Sequence, residues 1–121
     1  MKKIVFALII LMLLTITVSA TIIDISKGYN GSGWGVSVYS QDKWSGSITG
    51  DANVTKWEGD GDANYSVTGA EMSLSANIKK ATNSTNLLRV DILKDGKVVD
   101  SSKTNTSYGV ILLRVPFSNY E

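Results

Sequence analysis

The stretch from Leu87 to Asp100, LLRVDILKDGKVVD, constrains the fold more than any other part of the chain. Leu88, Val90 and Ile92 fall on one side of an extended backbone and Arg89 and Asp91 on the other, the two-residue period of a half-buried strand. Asp95-Gly96 then supplies a pair that accepts the positive φ angles of a tight primed turn, and Lys97-Val98-Val99 leads the chain back. A lone hairpin is marginal in water, so its aliphatic face must be covered by further strands or a second sheet. That requirement sets the expected class: all-β, an immunoglobulin-like antiparallel sandwich of about seven or eight strands.

The remaining chain carries the same punctuation. Trp34 to Ser40 alternates, with Val36 and Val38 on one face, and Trp44 to Thr49, Asn53 to Trp57 and Asn64 to Thr68 read as short strands. Gln41-Asp42, Gly50-Asp51 and Gly59-Asp60-Gly61-Asp62 mark the turns between them. Met72, Leu74, Ala76 and Ile78 alternate with polar residues as a long strand, one face in the core and one in water. Ala81 to Asn86 is a polar turn before the hairpin. Tyr108 to Val115 is nearly continuous in apolar residues, which predicts a last strand in the middle of a sheet, ended by Pro116. Thr21 to Ser26 is a first strand or the tail of an anchor, and the glycine-rich KGYNGSGWG from Lys27 to Gly35 is expected to lead flexibly into the domain. The expected organisation is thus a leader over 1–20, a flexible lead over 21–33 and the sandwich over 34–121.

Met1-Lys2-Lys3 is a short basic head, followed by an uncharged apolar run from Ile4 to Leu14. A secretory signal peptide has this layout, and Val18-Ser19-Ala20 offers the small-residue pattern for cleavage after Ala20. The rival reading is an uncleaved membrane anchor from Ile4 to about Ile23, close to the roughly 20 residues that span a bilayer. Both place Thr21 onward outside the cytoplasm, secreted or anchored at the cell surface, with the membrane contacted only through this segment, and only if it is uncleaved. No Cys follows the run, which excludes a lipoprotein anchor.

Removal of Lys2 and Lys3 leaves ten basic against eleven acidic residues, a near-neutral chain with no cationic stripe for nucleic acid. The absence of Cys leaves the apolar core and the strand ladders to stabilise a small exported domain. Asn30, Asn53, Asn64, Asn83 and Asn105 each begin an Asn-x-Ser/Thr acceptor pattern. Two accounts fit them: glycosylation at a cell surface, or a polar sheet face rich in Ser, Thr and Asn.

With neither His nor Cys, the chain has no means to build a serine or cysteine triad, a His-ligated zinc site or a thiol redox centre. Carboxylates remain. Asp60, Asp62, Asn64 and Glu71 stand at offsets 1, 3, 5 and 12 of a calcium-loop pattern, but Tyr65 occupies the position that needs Gly. A looser calcium site from Glu58, Asp60 and Asp62 at a strand turn is the metal candidate, set against a solvated acidic turn. Paired carboxylates also hydrolyse glycosidic bonds across a cleft, yet a domain of this size offers no evident cleft, so no enzymatic activity is expected. Trp34, Trp44 and Trp57 with Tyr39, Tyr65 and Tyr108 form either a stacking platform for sugars or core filling. Trp44 and Tyr108 are expected in the core, with Trp34 and Trp57 more open beside glycine-rich turns.

Trp44-Ser45-Gly46, Gly59 and Gly61 ahead of Tyr65-Ser66-Val67, Leu88-x-Val90-x-Ile92, Lys94-Asp95-Gly96-Lys97-Val98-Val99, Thr104 and Tyr108-Gly109-Val110 follow one another in a set order. In these pieces the chain resembles a group of small archaeal secreted or membrane-tethered β-sandwich proteins of unassigned function. More distantly, Asp-Gly-Lys-Val-Val and Tyr-Gly-Val are similar to pieces of the mycobacterial small membrane protein family. The second resemblance implies an extracytoplasmic β domain on one amino-terminal anchor, working beside exporters; neither implies catalytic residues. The expected function is a non-enzymatic surface or envelope module, binding or structural, for an unknown protein or glycan partner. The alternatives are a single-anchor accessory subunit of a membrane transporter and a calcium-dependent adhesion domain.

Overall fold

The computed structural model describes residues 23–51 and 53–120; the expected leader or anchor, up to residue 22, lies outside them. Among the described residues no helix is long and apolar enough to cross a membrane. Nine strands form two antiparallel sheets, consistent with a β-sandwich. The first sheet runs β1 (Asp24–Lys27), β5 (Ala63–Thr68), β2 (Trp34–Ser40), β7 (Leu88–Lys94), β8 (Lys97–Thr104). The second runs β4 (Asn53–Asp60), β3 (Lys43–Gly50), β6 (Ser73–Lys80), β9 (Val110–Pro116), followed by a 3-10 turn, Phe117–Tyr120.

Alternation builds the core from both sides. Val36, Val38, Leu88, Val90 and Ile92 face inward from the first sheet; Ile48, Leu74, Ala76, Ile78, Ile111, Leu113 and Val115 face them from the second. Each of the Val, Leu and Ile side chains among them contributes roughly 1.5–3 kcal/mol by leaving water. Trp44 and Trp57 meet edge to face with ring centroids 4.7 Å apart, and Tyr65 joins them from the opposite sheet, 4.7 Å from Trp57.

The hairpin forms as its residues predict. Asp95 and Gly96 have φ of 50° and 80°, as a primed turn requires, and β7 pairs with β8 with a bulge where Val98, not Val99, opposes Leu93. Two expectations fail in instructive ways. β9 lies at an edge and is not central: its burial alternates, and Leu112 is 69% exposed on the outer face. A nearly continuous apolar run does not distinguish the two placements, because only strand pairing decides which neighbours cover the second face. Tyr108 is 52% exposed at a left-handed loop position, φ 53°, whereas Trp57 is buried.

The glycine-rich stretch is tied to the first sheet. β1 and β2 flank β5 on either side, so residues 28–33 must cross back over the outer face of the sheet. Ser66 donates to the Gly28 carbonyl (3.2 Å), and the Tyr29 amide donates to Asn64 Oδ1 (3.1 Å). The Tyr29 ring lies over Gly35, where a Cβ would stand 2.6 Å from ring carbons; Gly35 is therefore what lets the crossover lie flat. The Tyr29 hydroxyl donates to the Gly33 carbonyl (2.8 Å) and accepts from the Gly96 amide (2.9 Å), fastening the crossover to the hairpin turn. The boundary expected at residue 34 thus falls within the paired strands of the first sheet, and Ile23 is already buried in the core.

Candidate functional site

The strand directions sort the connections onto two poles. Ile23, the Gly50–Asp51 turn, residues 69–72, the Asp95-Gly96 turn and the 3-10 turn lie at the entry pole; Gln41-Asp42, Gly61-Asp62, residues 81–87 and residues 105–109 lie at the far pole. The linear calcium-loop pattern is split by this arrangement, since β5 carries the chain from Asp62 at one pole to Glu71 at the other. Glu58 and Asp60 are exposed on the outer face of β4, two residues apart. Asp62 is turned to the first sheet, where its Oδ1 accepts the Ser40 amide at 2.7 Å. Among the described residues no three His, Cys, Asp or Glu side chains gather in a group that could hold a metal ion.

Buried charges serve the fold. Asp91 is 1% exposed although it lies on the outer face, because Arg89 covers it with two parallel bonds of 3.0 and 2.9 Å while the Ser101 hydroxyl donates to Oδ1 at 2.5 Å. The hydrogen bond from Arg89 to the carboxylate, and then its charge, push the guanidinium further above its already high value. Arg89 also sits 5.3 Å over the Tyr39 ring. Lys80 continues the inward alternation of β6 and is fully buried; its ammonium donates to the Ser84 and Asn86 carbonyls at 2.5 and 2.7 Å. It anchors the long far-pole loop, to which the Ser84 hydroxyl adds a short bond to the Asp42 carboxylate. The sequence pattern gave no sign of either burial, since a charge on a strand ordinarily marks the wet face.

At the entry pole Asp51 has φ 58°, and its carboxylate accepts the amides of Met72 (2.7 Å), Glu71 (3.1 Å) and Ser73 (3.2 Å). Those amides, that of Met72 foremost, hold the carboxyl below its ordinary value of 3.8.

Asn30, Asn64, Asn83 and Asn105 are exposed, and Asn53 is half-buried at the start of β4. Asn30 and Asn64 accept the amides of Ser32 and Tyr29 through Oδ1, and Asn83 accepts the Ser107 hydroxyl in the same way. These bonds engage the carbonyl oxygen and leave free the amide nitrogen, which is the atom a glycan would take. On the outer face of the first sheet Ser37, Tyr39, Asp62 and Asn64, with the end of β1 at Lys27, line a shallow recess, and Tyr39 is 44% exposed. Of the six aromatic candidates, Trp44, Trp57 and Tyr65 are spent on the interior cluster, and Trp34 stacks on Phe117 with centroids 4.1 Å apart. Trp44 and Trp57 also border recesses but are buried themselves; Tyr39 is an exposed ring set beside one lined by hydrogen-bonding side chains.

Comparison with protein-family models, curated proteins and solved structures returns no match.

Proposed function

We propose that this chain is an extracytoplasmic, non-enzymatic module of the cell envelope that binds a protein or glycan partner on the outer face of its first sheet. The observation that carries the reading is the recess beside Tyr39: an exposed aromatic residue at a hollow that Ser37, Asp62, Asn64 and the end of β1 at Lys27 also line. Saccharides are held by such pairings of a ring face with hydrogen-bonding side chains, and so are polar peptide surfaces. Placement outside the cytoplasm rests on the basic and apolar head of the chain, and the exposed acceptor asparagines suit a glycosylated surface. Two facing antiparallel sheets support the β-sandwich part of the expectation, not the immunoglobulin-like part. The chain's strand order is its own, with β2–β7 and β3–β6 nested, whereas the immunoglobulin order interlocks such pairs.

The test is capture of partners from native envelopes and from a glycan panel with the exported protein, beside Tyr39→Ala and the outward Lys79→Ala as control. Binding lost in the first variant and kept in the second supports the assignment. Binding unchanged by Tyr39→Ala removes the recess from it. Sequencing the amino terminus of the exported protein separates a secreted module, starting at Thr21, from a single-anchor accessory subunit that keeps Met1.

A further inference from the structure

The four sheet edges are not equivalent. β1 has four residues, β8 is bulged, and β9 ends at Pro116 beside β8, with the Tyr120 hydroxyl reaching the Val99 carbonyl at 3.4 Å. Short edges, bulges, prolines and covering segments are the usual devices that stop a sheet from growing. β4 has none of these four; its one guard of this kind is charge, with Lys56, Glu58 and Asp60 along the strand. It runs eight residues in unbroken register with β3, and among the described residues no strand pairs with its other side.

The direction of its free backbone groups follows from the hairpin. Two residues connect Gly50 to Asn53, so that closing pair is hydrogen-bonded, and with it Ile48–Thr55, Gly46–Trp57 and Trp44–Gly59. The N–H and C=O groups of Val54, Lys56, Glu58 and Asp60 therefore point to the open side, and the same four residues have exposed side chains. We infer that β4 pairs with β4 of a second copy, antiparallel about a twofold axis at Trp57, joining the second sheets of two subunits into one continuous sheet.

Charge selects that register. With Trp57 opposite its own mate, all four outward residues meet outward residues, and Lys56 stands opposite Glu58 of the second copy on both sides of the axis. Centring the pair on Lys56 or on Glu58 would instead set that charge against itself. Trp57 is buried at the centre of the proposed seam, and its indole Nε1 is the one buried side-chain polar atom without a hydrogen-bond partner among the described residues. A seven-residue antiparallel seam, Val54 to Asp60, gives protein partners to the outward backbone groups of Val54, Lys56, Glu58 and Asp60, and the contact is isologous, so it closes at two copies.

The test uses the exported chain, in mild detergent where the leader is retained, with mass measured by light scattering across a wide concentration range. The expected result is twice the chain mass, falling to the chain mass on dilution. Lys56→Glu sets two like-charge pairs across the axis and should raise the dissociation constant roughly tenfold or more, as should Glu58→Lys. The double variant Lys56→Glu, Glu58→Lys restores the opposition with signs exchanged and should return to within about threefold of the original. A chain that stays at single mass at every concentration overturns the inference. So does a dimer that neither single variant weakens, or one that the double variant fails to restore.

Discussion

Asp51 shows how much one exposed side chain can organise. Its carboxylate closes over three amides of the loop before β6, and its own backbone takes the left-handed conformation that Asp and Asn tolerate best. Its pKa is lower in the folded chain than in the unfolded one. The stability it lends is therefore fully present above the ordinary value of 3.8 and is lost as pH falls below it, through the lower folded value. Asp51→Asn keeps the backbone preference and removes the charge. The melting temperature of the variant should fall at neutral pH, and the gap to wild type should narrow in acid; a gap that stays constant down to pH about 2 would show that the carboxylate's charge has no part in it. Ile92, fully buried between the sheets, is the opposite kind of residue. An unpaired charge there costs several kcal/mol, comparable to the whole stability of a small domain, so Ile92→Asp should yield no cooperative unfolding transition by calorimetry.

At the scale of elements, local patterns were legible and pairings were not. The hairpin turn, the strand from Trp34 to Ser40 and the inward faces of β6 and β7 are written in two-residue alternation and turn chemistry. The crossover was not, because Gly28 to Gly33 looks like linker until Gly35 and the hairpin turn are brought beneath Tyr29 by pairing with strands far along the chain. The edge position of β9 and the burial of Asp91 and Lys80 were hidden for the same reason. Each depends on which neighbour arrives, and nothing within a few residues encodes it. The recess is intermediate: Tyr39 was among the aromatic candidates, but its neighbours Lys27 and Asn64 come from two other strands or their ends. Two substitutions probe the crossover and the turn. Tyr29→Phe removes a hydroxyl bonded on both sides and should cost about 1 kcal/mol in chemical denaturation. Gly96→Val places a β-branched residue at φ 80° and should cost more, roughly 1–3 kcal/mol. Equal midpoints for Gly96→Val and wild type would mean that the turn does not need its left-handed residue.

For the molecule as a whole, the distribution of its three indoles has a spectroscopic consequence. Trp44 and Trp57 lie together in the interior cluster near the far pole, while Trp34 is stacked on Phe117 and touched edge-on by Tyr120 near the entry pole. Fluorescence therefore reports two places at once. Ending the chain after Pro116 should shift the emission of Trp34 toward that of a wetted indole while the interior pair, and the cooperative melt it follows, persists at a lower temperature. If both signals move together in that shortened chain, the carboxyl-terminal turn is part of the same cooperative unit as the core, and light emitted at one pole reports the integrity of the other.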